Sequence, residues 1–384
     1  MKIKVAGIGL TKFGELWSKS IYDLSLEAAS EALLDAGLKI QDIDAIYVGN
    51  MLSGVLNHQD QLGAQVASLL KTNAPALKVE GACASGGLAV YTGIQALLAG
   101  TSKTVLIVGV EKMTDASPAQ VSAALMGAGS EDERLAGLTF PGLYALLAKA
   151  HMQKFGTTKE HMAHVAVKNH YHASLNEKAQ FPFEITVEKV LRSSRITDPF
   201  TLFDASPITD GAAAVILTAA DNKKQKTRNK KDVFITASSI ATDTIDLSKR
   251  ESLTELKGTK LAAKKAFTQA GISPSDVDVV EVHDCFTIAE IIAMEDIGFC
   301  KKGEGGEYIK QGNTKLGGKM PVNTSGGLKA CGHPVGATGV KQIVEITQQL
   351  QKRAGKKQVE NAKVGLAQNV GGTGATVVVH ILQV

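Results

Sequence analysis

The sequence predicts an α/β protein built from two similar halves related by a pseudo-twofold axis, and three observations predict it. The first is an internal repeat: Glu27–Asn50 (EAASEALLDAGLKIQDIDAIYVGN) and Leu261–Asp284 (LAAKKAFTQAGISPSDVDVVEVHD) align without a gap at an offset of 234, with eight of 24 positions identical. The second is a shared frame of opening and closing strands. Ile3–Thr11 resembles Val233–Thr242, and Gly211–Thr218 resembles Gly374–Ile381. The third is what lies between those strands. Each half carries a glycine-rich turn, a helical stretch and an apolar strand. In the first half these read GACASGG, LAVYTGIQALLAG and KTVLIVGV; in the second they read ACGHPVGATG, VKQIVEITQQLQKR and KVGLAQNV.

Each element has a local cause. The repeated 24-mer reads as a helix ended by Ala-Gly, a short turn and a buried strand. Strands this apolar between helices suit a mixed sheet covered on both faces. A chain of 384 residues is too long for one ordinary core, which agrees with two halves. The first half carries an extra, more polar segment over roughly 114–206, read as an inserted subdomain. The predicted organisation is a first half over 1–222, a basic linker over 223–232 and a second half over 233–384.

Composition excludes several classes. The net charge of +4 is mild, and much of it lies in Asn222–Lys231 (NKKQKTRNKK), which has six basic residues and no aromatics. That run reads as a solvated joint, and no nucleic-acid partner is expected. A modest positive balance suits a polyanionic small molecule such as a nucleotide thioester. The four cysteines, Cys83, Cys285, Cys300 and Cys331, are far apart and form no CxxC pair, so neither a disulfide scaffold nor a zinc site is expected. Free thiols fit a reducing compartment, and MKIKVAGIGL is too quickly polar for a signal peptide, so a cytoplasmic location is expected. No apolar run approaches the ~18 residues of a membrane span.

Four stretches carry chemistry. Cys83 lies among Ala, Ser and Gly in GACASGGLAV, just ahead of a helix. A helix N-terminus favours thiolate, so a lowered thiol pKa is expected there. The plain alternative is a small buried filler. His283-Asp284-Cys285-Phe286 follows the strand VDVVEV, where ligands of α/β sheets bind. His333 sits between Gly332 and Pro334 in a rigid turn. Cys83 and His333 occupy equivalent turns, so the pseudo-twofold axis brings thiol and imidazole together. A last turn, Gln368–Gly374, has backbone N–H groups suited to a developing oxyanion.

Other signals are discounted. Gly7-Ile8-Gly9 fails as a dinucleotide loop because Gly14 is one residue beyond the spacing. His161, His164, His170 and His172 read as a solvated amphipathic helix, with a metal site as the weaker alternative.

These motifs resemble the thiolase superfamily over essentially the whole chain. Gly326-Gly327 followed by Gly332-His333-Pro334-Val335-Gly336-Ala337-Thr338-Gly339 is the most specific part. The resemblance implies a five-layered αβαβα fold, Cys83 as the acyl-accepting nucleophile and His333 as its activator. Many thiolases have Asn-Glu-Ala-Phe at 283–286 and a second catalytic cysteine where this chain has Asn369. The His-Asp-Cys-Phe form is similar to the sterol-carrier-protein type and archaeal acetoacetyl-CoA thiolases. In that subgroup Cys285 takes the missing proton-transfer role. His283 and His333 would hold one thioester oxygen, and the backbone N–H groups of Cys83 and Gly371 the other. Phe140–Met152 is the expected acyl and pantetheine wall.

The implied activity is acetyl-CoA C-acetyltransferase by ping-pong Claisen chemistry, feeding the mevalonate route. No tightly bound cofactor or metal is expected, with coenzyme A as substrate and product. The implied partners are a second copy or a tetramer, 3-hydroxy-3-methylglutaryl-CoA synthase, and a small OB-fold protein with a zinc ribbon. The alternatives are a degradative thiolase for longer or aromatic chains, a β-ketoacyl or hydroxymethylglutaryl synthase, and a non-catalytic scaffold subunit. The Gly-His-Pro signature argues against the synthases, and the four site residues argue against the scaffold.

Overall fold

The computed structural model describes residues 2–219 and 231–384. Of the basic run, residues 222–230 lie outside the described residues. Among the described residues eleven strands form: β1 Ile3–Leu10, β2 Ala45–Gly49, β3 Ala76–Val79, β4 Thr104–Glu111, β5 Arg195–Thr197, β6 Phe200–Thr201, β7 Gly211–Ala219, β8 Val233–Thr242, β9 Val279–Glu281, β10 Val364–Gly371 and β11 Thr376–Gln383. Nine of them make one sheet in the order β3-β2-β4-β7-β1-β8-β11-β10-β9. The two half-sheets run in mirrored order and meet at a short antiparallel seam, Ile3↔Ile235 to Val5↔Val233. The repeat therefore puts the two opening strands side by side.

The residues shared by the two 24-mers do the same work in each half. Gly37 (φ 65°) and Gly271 (φ 68°) end their helices in the left-handed conformation. Asp42 Oδ2 accepts from the Lys39 N–H at 2.9 Å, and Asp276 Oδ2 from the Ser273 N–H at 2.8 Å. Asp44 accepts from the Lys103 and Thr104 N–H groups at 2.7 and 2.9 Å, and Asp278 from those of Lys363 and Val364 at 2.8 and 2.9 Å. Each aspartate thereby pins the entry of the neighbouring parallel strand.

The layers follow from which faces are apolar. Helix Ile21–Ala36 covers β1, β4 and β7 from outside, and helix Lys257–Ala270 covers β8 and β11. Between the half-sheets lie helices Ser85–Leu98 and Thr338–Leu350, packed on one another and on strands of both halves. Twelve of the 13 residues of Thr338–Leu350 are buried, which a central layer requires. The result is the five-layered αβαβα stack.

The two central helices make their closest approach at glycine. A Cβ at Gly339 would sit 2.1 Å from the Gly87 nitrogen, and one at Gly86 would sit 2.7 Å from the Gly336 carbonyl oxygen. The space cleared after Cys83 admits the other half's helix. Gly339→Ala is expected to cost about 1–3 kcal/mol through overpacking, read as a lower denaturant midpoint at unchanged slope.

Between β4 and β7 the inserted segment folds into helices, chiefly Phe140–Phe155 and Lys159–Ser174, with the β5–β6 hairpin. It packs on helix Thr287–Ile297 of the second half, every residue of which is buried. Among the described residues, no helix is long and apolar enough to cross a membrane.

Candidate active site

Cys83 sits in a single helical turn, Ala82–Ala84, feeding helix Ser85–Leu98. Ala82 adopts φ 53°, a left-handed conformation that costs a non-glycine residue about 1–3 kcal/mol. Local bonds impose it. The Gly81 N–H donates to Ser85 Oγ at 3.0 Å, Ser85 Oγ donates to the Ala82 carbonyl at 2.6 Å, and the Ala84 N–H donates to the Gly81 carbonyl at 3.0 Å.

The pseudo-twofold arrangement brings Cys83 to the histidines. Cys83 Sγ and one ring nitrogen from each of His283 and His333 lie within 4.8 Å of one another. The two imidazoles meet edge to face, with centroids 4.9 Å apart at 83°. Both Nε2 atoms are buried without a partner.

The partners of the Nδ1 atoms differ in kind. Thr338 Oγ1 donates to the Pro334 carbonyl at 3.1 Å, so at His333 Nδ1, 2.8 Å away, it accepts. His333 thus carries its proton on Nδ1 and turns a bare Nε2 lone pair to the site. Its own backbone N–H donates to Thr209 Oγ1 at 3.0 Å. At His283, the Nδ1 neighbour is Asn369 Nδ2, at 3.2 Å.

Burial dominates the acidities. Burial and Lys341 drive His333 down to about 3, and burial followed by His333 holds His283 well below its ordinary value. Cys83 is half-buried, and desolvation pushes its thiol up to about 12. Glu111 and Glu80 add to that rise, against hydrogen bonds from the Gly372 and Cys83 N–H groups. This corrects the expectation of a lowered thiol pKa: the resting pair is neutral thiol and neutral imidazole. The glycine-turn N–H at the Cys83 sulfur belongs to Gly372, whereas Gly371 is the last residue of β10.

A cavity of about 200 Å³ opens over Cys83 and is lined also by Tyr144, Cys285, Phe286, His333 and Gly372. A larger cleft of about 710 Å³, between Pro274 and Pro321, holds none of the four predicted site residues. Cys285 is buried, and desolvation raises its thiol above the ordinary range, against the opposing influence of the neighbouring Tyr144 hydroxyl and the Phe286 N–H. Tyr144 also donates to the Gly372 carbonyl at 3.0 Å and stacks on Phe286, with centroids 4.8 Å apart. On the far side of this turn Arg250 donates to the Thr373 carbonyl and hydroxyl at 2.8 and 3.1 Å.

Phe140, Pro141 and Tyr144 of the segment expected to form the wall do line the cavity, while Leu143 and Leu147 enter the core. Tyr144 as an anchor of the glycine turn, Arg250 and Thr338 were missed. The histidine-rich helix is not solvated throughout: His170 and His172 are buried, and His172 bonds the Asn323 carbonyl and the Leu316 N–H. Cys331 is buried away from the cavity lining, against Asn176.

The buried imidazoles predict a pH dependence. Burial holds His170 and His380 near about 4 and His172 and His333 near about 3, with His283 low as well. The unfolded chain binds protons at these sites below about 6.5 and the folded chain does not, so stability falls as pH drops from there toward 3. Glu111, Asp284 and Asp296 are pushed upward by burial and act in the opposite sense, but they are fewer. Urea midpoints at pH 7 and pH 5 check this, and an equal or higher midpoint at pH 5 contradicts it.

Comparison with known proteins agrees with this geometry. The model for the thiolase N-terminal domain matches residues 3–221, and that for the thiolase C-terminal domain matches 239–384. The chain is 48% identical to an acetyl-CoA acetyltransferase of Methanothermobacter thermautotrophicus, covering 99% of this chain and 98% of the relative. It is 46% identical, at the same coverage, to one of Methanocaldococcus jannaschii. It is 34% identical to human sterol carrier protein 2, over 98% of this chain and 71% of that protein. The fold matches the Ltp2–ChsH2(DUF35) aldolase with TM-score 0.86 at 23% identity, covering 99% and 97% of the two chains. It matches an acetyl-CoA acetyltransferase from Syntrophomonas wolfei with TM-score 0.76 at 20% identity, over 100% and 99%. With a paired thiol and imidazole between two like halves, and both halves matched by the family's domains, the chain belongs to the thiolase family.

Proposed function

We propose that this thiolase is an acetyl-CoA C-acetyltransferase, joining two acetyl-CoA into acetoacetyl-CoA or running the reverse thiolysis. The observation that carries the reading is the meeting of Cys83 with the imidazoles of His283 and His333 within 4.8 Å, beside a small cavity that Cys83, Cys285 and His333 line. The names of the two archaeal relatives, each matched nearly end to end, support the substrate.

The chemistry follows from the site. The Cys83 proton passes to the bare Nε2 of His333, and the thiolate attacks the thioester carbonyl. The N–H groups of Cys83 and Gly371 receive the oxyanion, and coenzyme A leaves with the proton from His333. Because thiol and imidazole both rest neutral, this transfer is driven by carbonyl attack rather than by a standing ion pair. A second acetyl-CoA binds with its thioester oxygen toward Nε2 of His283 and loses an α-proton to Cys285, which acts in its thiolate form and hands that proton on to the Cys83 sulfur when that sulfur is released, so each thiol ends the cycle as it began. The carbanion attacks the acetyl group on Cys83, a carbon–carbon bond forms, and the Cys83 sulfur is released. The chain's own thiols and imidazoles carry each step, with coenzyme A as substrate and product.

A cavity of about 200 Å³ supports a short acyl group. The reading expects kcat/KM for 3-ketoacyl-CoA thiolysis to fall by at least about tenfold, 1.4 kcal/mol, from the four-carbon to the eight-carbon substrate. A flat or rising series would support the degradative alternative. A role supplying the mevalonate route, a cytoplasmic location, a dimer or tetramer, and assembly with 3-hydroxy-3-methylglutaryl-CoA synthase through an OB-fold and zinc-ribbon protein belong to this proposal. The DUF35 chain in the structurally similar aldolase supports searching for such a partner.

A further inference from the structure

Asn369 stands on β10 between the two halves of the site, 1% exposed, and three hydrogen bonds dictate how its amide lies. The Gly87 N–H donates to Oδ1 at 3.1 Å, so that atom must be the oxygen. Nδ2 donates to the Cys83 carbonyl at 3.0 Å, so that atom must be the nitrogen. Both partners are backbone groups and cannot exchange roles. The same Nδ2 lies 3.2 Å from His283 Nδ1, which is then an acceptor. A neutral imidazole that accepts at Nδ1 carries its hydrogen on Nε2.

We infer that Asn369 is a positioning residue that locks His283 as the Nε2–H tautomer, making it a hydrogen-bond donor to the substrate oxygen while Thr338 keeps His333 as the base. The two imidazoles are chemically alike and both are buried. Their Nδ1 partners set their tautomers apart. The lock also accounts for a second property. Cys83, His283 and His333 have the donor types of a zinc site, with candidate atoms within 4.8 Å. An Nε2 that carries hydrogen offers no lone pair, so the amide guards the thiol against soft divalent metals.

This inference rests on the acyl-transfer reading only for its kinetic part. The direct test is the ring-nitrogen NMR signature of His283 in the full-length protein, assigned by comparison with His283→Gln. The expected result is protonated Nε2 and bare Nδ1, and protonated Nδ1 overturns the inference outright. The second test is Asn369→Asp, whose carboxylate accepts where the amide donated. His283 then takes its hydrogen on Nδ1, and kcat falls by about 100- to 10,000-fold, the upper figure being that of a wrong-tautomer triad, while KM stays within a few-fold.

The same variant should gain what a merely structural role would not give. It should bind one cobalt(II) per chain with a thiolate absorption band, Cys83 releasing its proton to solvent. Adding Cys83→Ser should abolish that band, and the wild type should show none. A cobalt band of equal strength in the wild type, or an Asn369→Asp protein whose His283 keeps hydrogen on Nε2, overturns the inference. If Asn369→Asp does not fold, the wild-type NMR result decides alone. If the tautomer switches as expected and kcat does not fall, the positioning stands, and His283 as oxyanion donor is what fails.

Discussion

Cys83→Ser is expected to lose condensing and thiolytic turnover by at least about 10,000-fold, as removal of a covalent nucleophile does elsewhere, with the thermal midpoint little changed. The substitution is nearly isosteric, and the bonds shaping the turn come from Gly81, Ala82, Ala84 and Ser85 rather than from the thiol. What is lost is nucleophilicity. A hydroxyl holds its proton far more tightly than a thiol, and His333, held down to about 3 by burial, is a weak base. It serves a thiol whose proton departs as the carbonyl is attacked and has no such reach for serine. Turnover within tenfold of wild type would move the acyl group to another residue.

His283→Ala is expected to separate the two halves of the reaction. On the proposed mechanism the first oxyanion is held by the Cys83 and Gly371 N–H groups, and the truncation leaves both in place. Acetylation of the protein by acetyl-CoA should therefore persist. The carbon–carbon step needs the second thioester oxygen stabilised as its α-proton leaves, and losing one such donor costs about 100- to 1,000-fold. Rapid-quench measurement should find the acetylated protein accumulating to near stoichiometry while acetoacetyl-CoA formation slows. Equal losses in both steps would instead place His283 in the acylation machinery.

Much of this arrangement was legible in the sequence, because it is written twice. The shared Gly37/Gly271 and Asp44/Asp278 positions report local geometry that any copy of the unit needs. The equivalent turns holding Cys83 and His333 could be brought together by symmetry alone. Cys285 was placed by its position after a strand, and it does line the cavity beside Cys83. The acidities were not legible. A helix N-terminus lowers a thiol pKa only when desolvation does not exceed it, and the covering elements come from distant parts of the chain. Asn369 appeared only as the place of an absent cysteine. Its three partners, Gly87, Cys83 and His283, lie 86 residues or more away in the chain.

The central claim is that Cys83 carries the acyl group. Its most direct test is intact-protein mass spectrometry after a brief pulse of acetyl-CoA, followed by peptide mapping, on the wild type and Cys83→Ser side by side. The account predicts one acetyl group per wild-type chain, on the peptide holding Cys83, and none on the variant. An acetyl group that persists in the variant, or maps to Cys285 in the wild type, would contradict it.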